Sequence, residues 1–253
     1  MCRKNRCTCC GECAKICPTH AITFSGKRIR IDRQLCNLCG KCSNACPTDA
    51  IGITGEEMTV NEVMREIEKD MPFYEESGGG VTISGGEPLM QLDFLVKLLE
   101  ECKKRNIHVA VDTCGYSSKE AFDKILDKVD VFLYDIKLTD SEKHRRYTGV
   151  SNKLILENFE RLARNGCSIL VRFPVIPGIN DDDENVSRTA ELLRKNEVEN
   201  IDVLPYHRAG IEKYKSLGRT YRLKNTRSPS DEELKLIKKK LENYGLKAKI
   251  GGG

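Results

Sequence analysis

The chain has 253 residues, of which 39% are hydrophobic and 32% are charged, which suits one sizeable core with a small appended module. No run of about 18 apolar residues could cross a bilayer and no apolar signal segment is found, so we expect a cytoplasmic protein without a membrane partner. Lysine and arginine total 42 against 38 acidic residues. This near-balance argues against a nucleic-acid partner, which would favour a strongly cationic face.

Cysteine is concentrated at the N-terminus, where ten of the 13 cysteines lie within the first 46 residues. Such crowding fits either disulfides in an oxidising compartment or metal ligation in a reducing one. Because no export signal is found, metal ligation is favoured.

The run C-x-x-C-x-x-C-x-x-x-C-P occurs twice, offset by 29 residues, and the two copies end in Cys17-Pro-Thr-His-Ala-Ile and Cys46-Pro-Thr-Asp-Ala-Ile. In this pattern three closely spaced thiolates hold one 4Fe-4S cluster and the fourth ligates the cluster of the other copy. The predicted ligand sets are Cys7, Cys10, Cys13 and Cys46 for one cluster, and Cys36, Cys39, Cys42 and Cys17 for the other.

The cysteine pattern resembles that of bacterial two-cluster ferredoxins, so we expect a ferredoxin-like module over residues 1–54. A zinc site is the alternative, but four tetrahedral ligands would leave the repeated cysteines without a common role. Cys2 and Cys9 fall outside the repeat and receive no role. Short strands at 21–24 and 28–31 are predicted to form a hairpin that covers the clusters.

From residue 55 onward, short apolar runs alternate with amphipathic stretches, which is typical of parallel strands joined by helices. A bridging helix is predicted over Val60–Met71. Further helices are predicted near 90–104, 118–128, 154–165, 182–196 and 230–244. The predicted strands are 81–84, 109–112, 131–135, 169–175, 201–204 and 247–250. Six strands are compatible with either a partial barrel or an open doubly wound sheet, and in both ligands bind where the strands end.

Polar residues follow these strand ends, and their order along the chain is informative. The series is Ser84-Gly85-Gly86-Glu87-Pro88, Asp112-Thr113-Cys114-Gly115-Tyr116, Asp135-Ile136-Lys137, His144, Tyr147-Thr148-Gly149, Val171-Arg172-Phe173, Pro177-Gly178 and Leu204-Pro205-Tyr206-His207. It resembles the glycyl-radical-enzyme activating proteins, a radical S-adenosylmethionine family similar to pyruvate formate-lyase activase, in the subgroup with a two-cluster ferredoxin insert. The resemblance implies an α/β fold in which residues 55–253 form a partial (β/α) TIM-like barrel that lacks its first strand.

The resemblance also implies roles for the residues at the strand ends. Strand-end glycines let an amino-acid-like ligand approach the backbone closely, which suits Gly85 and Gly86. The implied S-adenosylmethionine contacts are Gly85, Gly86, Glu87, Asp112, Asp135, Ile136, Lys137, Arg172 and His207. An implied monovalent cation site consists of Asp112, Thr113, the carbonyl of Leu133, and Asp135. The ordinary alternative is that the acids cap helices and that Arg172 pairs with a neighbouring carboxylate; the acidic run 181–184 is assigned to helix capping.

One motif of the family is absent, because no cysteine in this chain has partners at both i+4 and i+7. In the family, the three cysteines of a C-x-x-x-C-x-x-C loop hold a third 4Fe-4S cluster and leave one of its irons open to the nucleoside. Because this chain lacks the loop, no catalytic cysteine is assigned. We expect a truncated, impaired form of a longer parent that carries the third cluster; natural loss of the loop is the alternative.

The resemblance implies that the parent enzyme reductively cleaves S-adenosylmethionine and installs a glycyl radical on a partner enzyme. It further implies a flavodoxin or ferredoxin as electron donor, a monomeric state and work under anaerobic conditions. The rival hypothesis is a two-cluster electron-transfer or binding protein whose barrel has degenerated. The sequence does not indicate which glycyl radical enzyme is served.

Overall fold

The computed structural model describes residues 2–26, 28–217 and 219–251. These residues form two compact units: the first comprises residues up to Glu57 together with Arg208–Asn225, and the second comprises Met58–His207 and the residues from Thr226 onward. No helix in the described part of the chain is long and apolar enough to span a membrane.

The first unit shows the duplication in three dimensions. Each copy of the cysteine run contains a one-turn helix, and a glycine in the left-handed region precedes it: Gly11 with φ 85° and Gly40 with φ 76°. A side chain at these φ values would be strained, so glycine is the residue that permits both turns. The elements of this unit are α1 (Glu12–Lys15), the antiparallel hairpin β1 (Ile22–Ser25) and β2 (Arg28–Ile31), α2 (Lys41–Asn44) and α10 (Gly210–Ser216).

The second unit is built on a six-stranded parallel sheet whose strands lie side by side in chain order. A doubly wound sheet would reverse its strand order at a switch point, whereas a barrel adds each new strand to the same edge. The fold is therefore of the barrel type, and the sheet is open between its first and last strands. The strands are β3 (Gly80–Ile83), β4 (His108–Thr113), β5 (Val131–Asp135), β6 (Ile169–Val175), β7 (Asn200–Pro205) and β8 (Lys247–Ile250).

Helices connect these strands and cover one face of the sheet. Leu99, Phe122, Phe159 and Leu193 project from four of them into the core and are fully buried. The helices of this unit are α3 (Val60–Glu68), α4 (Met71–Ser77), α5 (Leu92–Lys104), α6 (Lys119–Asp123), α7 (Ser141–Thr148), α8 (Lys153–Arg164), α9 (Asp183–Lys195) and α11 (Asp231–Asn243).

Alternation along the strands separates an apolar face from a charged one. In β6, Val171 and Phe173 are buried against the helices, whereas Arg172 between them points to the opposite face. Because successive side chains of a strand point to opposite faces, Asp112 of β4 and Asp135 of β5 lie on the same face as Arg172. The sheet therefore packs its core on one side and presents charges on the other.

All six predicted strands are present, and the hairpin is shifted by one residue at its start. The bridging helix is shorter than predicted: α3 ends at Glu68 and α4 begins at Met71, with Pro72 in its first turn. Proline donates no hydrogen bond and disfavours helix in the residue before it, so a continuous helix is broken here. The helix predicted over 118–128 is regular only over Lys119–Asp123. The short helices α1, α2, α4, α7 and α10 were not predicted.

Candidate functional site

The second copy of the cysteine run lines a cavity of about 210 Å³ in the first unit. Cys36, Cys39 and Cys42 contribute from this copy, and Cys17 reaches the same cavity from the end of the first copy. The rest of the wall is mostly apolar, and Arg33 and Asn37 also line it. The four thiols are those of the second predicted ligand set.

A second, narrower pocket of about 10 Å³ is lined by the complementary four cysteines, Cys7, Cys10, Cys13 and Cys46. Phe24 and Ile29 of the hairpin form part of its wall. Cys9 also lines this pocket, so that five thiols surround it. The fourth cysteine of each copy is thus exchanged between the two pockets.

The two exchanged cysteines, Cys17 and Cys46, each lie next to a threonine hydroxyl. The Sγ of Cys17 is 3.6 Å from the hydroxyl of Thr19, and the Sγ of Cys46 is 3.8 Å from that of Thr48. The backbone N–H of Ala50 also donates to the Sγ of Cys46 at 3.2 Å. Hydrogen bonds to sulfur tune the reduction potential of an iron-sulfur centre.

Among the described residues, no three histidine, cysteine or acidic side chains converge closely enough to hold a single metal ion. A zinc ion needs its sulfur ligands within about 2.3 Å of one centre. Eight thiols distributed over two pockets suit two 4Fe-4S clusters, in which each sulfur binds a different iron, better than they suit zinc.

In the second unit, the end of β3 leaves backbone open to a ligand. Gly85 has φ 136°, a conformation that favours glycine, and a Cβ added to Gly85 or Gly86 would meet no atom within 4 Å. The main chain of this turn is exposed, as expected for a glycine pair that receives a ligand tail.

Glu87 joins the end of β3 to the end of β4. One carboxylate oxygen accepts a hydrogen bond from the hydroxyl of Thr113 at 2.7 Å, and the other accepts one from the backbone N–H of Cys114 at 2.9 Å. Burial raises the pKa of the Cys114 thiol to about 11, and its hydrogen bond to Glu87 acts in the same direction. Both oxygens of Glu87 are thus engaged by the protein itself, so its carboxylate positions these two turns.

A network of four charged side chains occupies the open face of the sheet. The guanidinium of Arg172 donates to Asp135 at 3.0 Å and to Asp112 at 2.7 Å, and the Nζ of Lys137 lies 3.1 Å from Asp135. Burial raises the pKa of Asp112, and Arg172 opposes that rise. Burial lowers the pKa of Arg172, but the two carboxylates outweigh it and the net shift is upward.

The remaining predicted contacts differ in how exposed their side chains are. His207 is exposed beyond the end of β7, whereas the side chain of Ile136 is buried in the core, so that only its main chain could touch a ligand. Leu133 is the register partner of Asp112. The hydroxyl of Thr113 donates to Glu87. Asp112 and Asp135 share Arg172, and its positive charge neutralises part of the negative charge that a monovalent cation would otherwise neutralise.

Buried asparagines hold the turns that surround the site, and sequence reasoning missed them. Asn185 accepts from the backbone N–H of Thr139 at 2.9 Å and donates to the carbonyls of Lys137 and Asn180. Asn158 donates to the carbonyls of Gly115 and Ser117, and its Oδ1 is buried without a hydrogen-bond partner among the described residues. The available signal was an amide on the apolar face of an amphipathic helix.

One other prediction concerns a residue outside the network. The side chain of Asp182 accepts from the backbone N–H of Asn185 at the start of α9, so the acidic run does cap a helix.

Comparison with known proteins identifies two family models in this chain. The radical SAM superfamily model matches residues 34–190, and the model of the 4Fe-4S dicluster domain matches residues 6–55. The first covers more than half of the chain.

Three proteins illustrate the similarity. The chain is 44% identical to the trans-4-hydroxy-L-proline dehydratase activating enzyme of Clostridioides difficile over 98% of its own length and 83% of that protein. It is 39% identical to the choline trimethylamine-lyase activating enzyme of Oleidesulfovibrio alaskensis over 98% and 82%. A domain of pyruvate-formate lyase-activating enzyme from Bacteroides vulgatus superposes with a TM-score of 0.59 at 36% identity, covering 69% of this chain and 99% of that one.

Proposed function

This chain belongs to the radical SAM superfamily and, within it, to the glycyl-radical-enzyme activating enzymes, and from that premise we propose how its residues serve the activation. Members of this family reductively cleave S-adenosylmethionine, and the resulting 5′-deoxyadenosyl radical takes a hydrogen atom from a glycine of the partner enzyme. The relatives' names include a dehydratase, a lyase and a decarboxylase as partners. The partner of this chain is therefore proposed only as a glycyl radical enzyme.

The first unit holds two 4Fe-4S clusters in this proposal, one in each thiol-lined pocket. The observation that carries it is the exchange of Cys17 and Cys46 between the two pockets. Such clusters, when bound, carry single electrons. The protein's contribution is eight thiolates, a mostly apolar wall that limits water, and donors to the sulfurs of the two exchanged cysteines. Anaerobic reconstitution should give about eight irons and eight sulfides per chain; four or fewer irons would reject the pair.

The second unit binds S-adenosylmethionine at the ends of its strands. The open main chain of Gly85 and Gly86 suits the amino-acid tail, and Lys137 and Arg172 supply the cations of the charged network. Asp112 and Asp135 would hold the ribose side or a monovalent cation, while His207 would lie toward the adenine. Calorimetry of the iron-replete protein tests the site: Arg172→Gln should weaken binding at least tenfold, whereas Arg188→Gln on the exposed face of α9 should not change it. Absence of heat with the unaltered chain would reject the site.

The rival function, electron transfer or binding without cleavage, is favoured by one observation. These 253 residues contain no C-x-x-x-C-x-x-C run, so each cluster proposed here has a full set of thiolates. We therefore expect this polypeptide by itself to bind the nucleoside without cleaving it. Mass spectrometry for 5′-deoxyadenosine after incubation with dithionite is the test, and robust turnover would contradict the expectation.

A flavodoxin or ferredoxin is proposed as electron donor to the clusters, with the chain acting as a monomer in a reducing, cytoplasmic compartment. Stopped-flow absorbance tests the donor, because reduced flavodoxin should bleach the cluster absorption faster at low than at high ionic strength. Light scattering after size-exclusion chromatography tests the monomer.

A further inference from the structure

The first turns of the two cysteine copies, residues 7–10 and 36–39, differ at both positions between their cysteines, and at the second of these only the first copy has a thiol. With the offset of 29 residues, Cys7 and Cys10 correspond to Cys36 and Cys39, and Cys9 corresponds to Leu38. Cys9 and Leu38 both adopt the left-handed backbone conformation, with φ 60° and 57° respectively. Both line the pocket of their own copy. The backbone therefore presents a thiol to one pocket at the position where it presents a leucine to the other.

The side chain at this position is placed for ligation in the first copy. The Sγ of Cys9 is 4.0 Å from the Sγ of Cys7, so the two sulfurs are near van der Waals contact. Cys9 is half-buried, whereas Leu38 is 66% exposed at the rim of its pocket. A non-glycine residue in the left-handed region destabilises the fold by about 1 kcal/mol, and both positions carry this destabilisation.

A 4Fe-4S cluster whose irons are all held by the protein takes four protein sulfurs, and the first pocket offers five. We propose that Cys9 is an alternate ligand for the iron that Cys7 otherwise holds. In the exchange, the iron–sulfur bond to Cys7 breaks, the bond to Cys9 forms, and one proton moves from the Cys9 thiol to the Cys7 sulfur. No electron is transferred, and the cluster keeps its charge. The inference rests on the two-cluster proposal and makes the first cluster tolerant of losing one thiolate.

The second copy supplies the matched control, since its corresponding position lacks a thiol. Cys7→Ala should keep two four-iron clusters, while Cys7→Ala combined with Cys9→Leu should lose iron from the first cluster, to about seven irons if a three-iron cluster remains or about four if the cluster is lost. Cys36→Ala should likewise lose iron, to about seven or about four, and adding Leu38→Cys should restore about eight. Iron and sulfide assays give the counts, and electron paramagnetic resonance of the reduced protein shows whether one or two clusters remain.

Two outcomes would overturn the inference while leaving the two-cluster proposal intact: loss of the first cluster in Cys7→Ala alone, or the resonance of an oxidised three-iron cluster in that variant. Four or fewer irons in the unaltered chain would instead reject the two-cluster proposal.

A measurement without substitution covers the case in which the variants do not fold. Iodoacetamide treatment of the folded, iron-replete protein, followed by tandem mass spectrometry, should find label divided between Cys7 and Cys9. Label confined to one of the two would overturn the inference.

Discussion

The two units build their sites in opposite ways. In the first, all eight proposed ligands come from a segment of 40 residues, Cys7 to Cys46, and short turns set their spacing. In the second, Asp112 and Arg172 are 60 residues apart in the chain and meet because β4, β5 and β6 lie side by side. A site whose ligands lie close together in the sequence depends on its bound group to order the chain. A site assembled by strand register depends on the core beneath the sheet.

Core size supports this contrast. The buried cluster of the first unit consists of Cys2, Cys13, Cys17, Ala21, Ile22, Ile29 and Ile51, and includes two proposed cluster ligands. The second unit buries a far larger set that includes four aromatic rings against one another. A small core rarely supplies enough stabilisation without a metal group or disulfides.

The largest expected effect is therefore loss of order in the first unit when iron is removed. In the iron-free protein, amide exchange over residues 2–57 should quicken by at least about a hundredfold, because cluster binding is coupled to folding of that unit. Amides of β5 and β6 should keep their protection. Hydrogen exchange with mass spectrometry measures both, and equal losses in the two units would contradict the contrast.

Next in size, Asn185→Leu should destabilise the second unit by about 3 kcal/mol, because the backbone N–H of Thr139 and the buried carbonyl of Asn180 lose their Asn185 partner. The carbonyl of Lys137 still accepts from Asn180. Urea unfolding followed by circular dichroism gives the change. Asn243→Leu, at an exposed position on the last turn of α11, is the control and should change stability by less than about 0.5 kcal/mol.

Arg172→Gln should cost about 2 kcal/mol at neutral pH, because two half-buried carboxylates then face each other without their shared cation. Burial already raises the pKa of Asp112 in the folded chain, and loss of Arg172 would raise it further. A folded-state pKa above the unfolded value of about 3.9 means that ionisation destabilises the fold, so the deficit should shrink as the pH is lowered from neutral toward that unfolded value.

Urea titrations of this variant at several pH values check the sign. Adding Asp135→Asn should recover part of the lost stability. A deficit that grows on acidification would show that the carboxylates do not oppose each other.

The smallest effect concerns Glu87, which connects the end of β3 to the end of β4. Glu87→Gln should lower the pKa of Cys114 from its value of about 11, because the carboxylate hydrogen bond that helps to raise it is lost. Alkylation of Cys114 at pH 8 should therefore quicken, and Cys167, whose pKa is raised by burial alone, should react as before. Mass spectrometry separates the two thiols, and equal acceleration at both would indicate general loosening instead.

Much of the fold could be predicted because its signals are local. Apolar runs gave the six strands, and Ser118 and Asp182 begin helices with side chains that accept a backbone N–H, as capping residues do. Helix α7 was missed because its sequence, Ser-Glu-Lys-His-Arg-Arg-Tyr-Thr, has no apolar stripe. Its caps, Asp140 before it and Gly149 after it, were the signal that could have indicated it.

The sequence by itself determined the cysteine spacing, the parallel strands and the identity of the polar residues at their ends, because each depends on neighbours within a few residues. Only the tertiary structure decided that the strands lie in chain order, that Arg172 is shared by two aspartates, and that Glu87 and four buried asparagines fix the surrounding turns. The four asparagines are Asn152, Asn158, Asn180 and Asn185. Their partners are backbone groups on other turns, mostly distant along the chain, and a backbone carbonyl looks the same in every residue of the sequence.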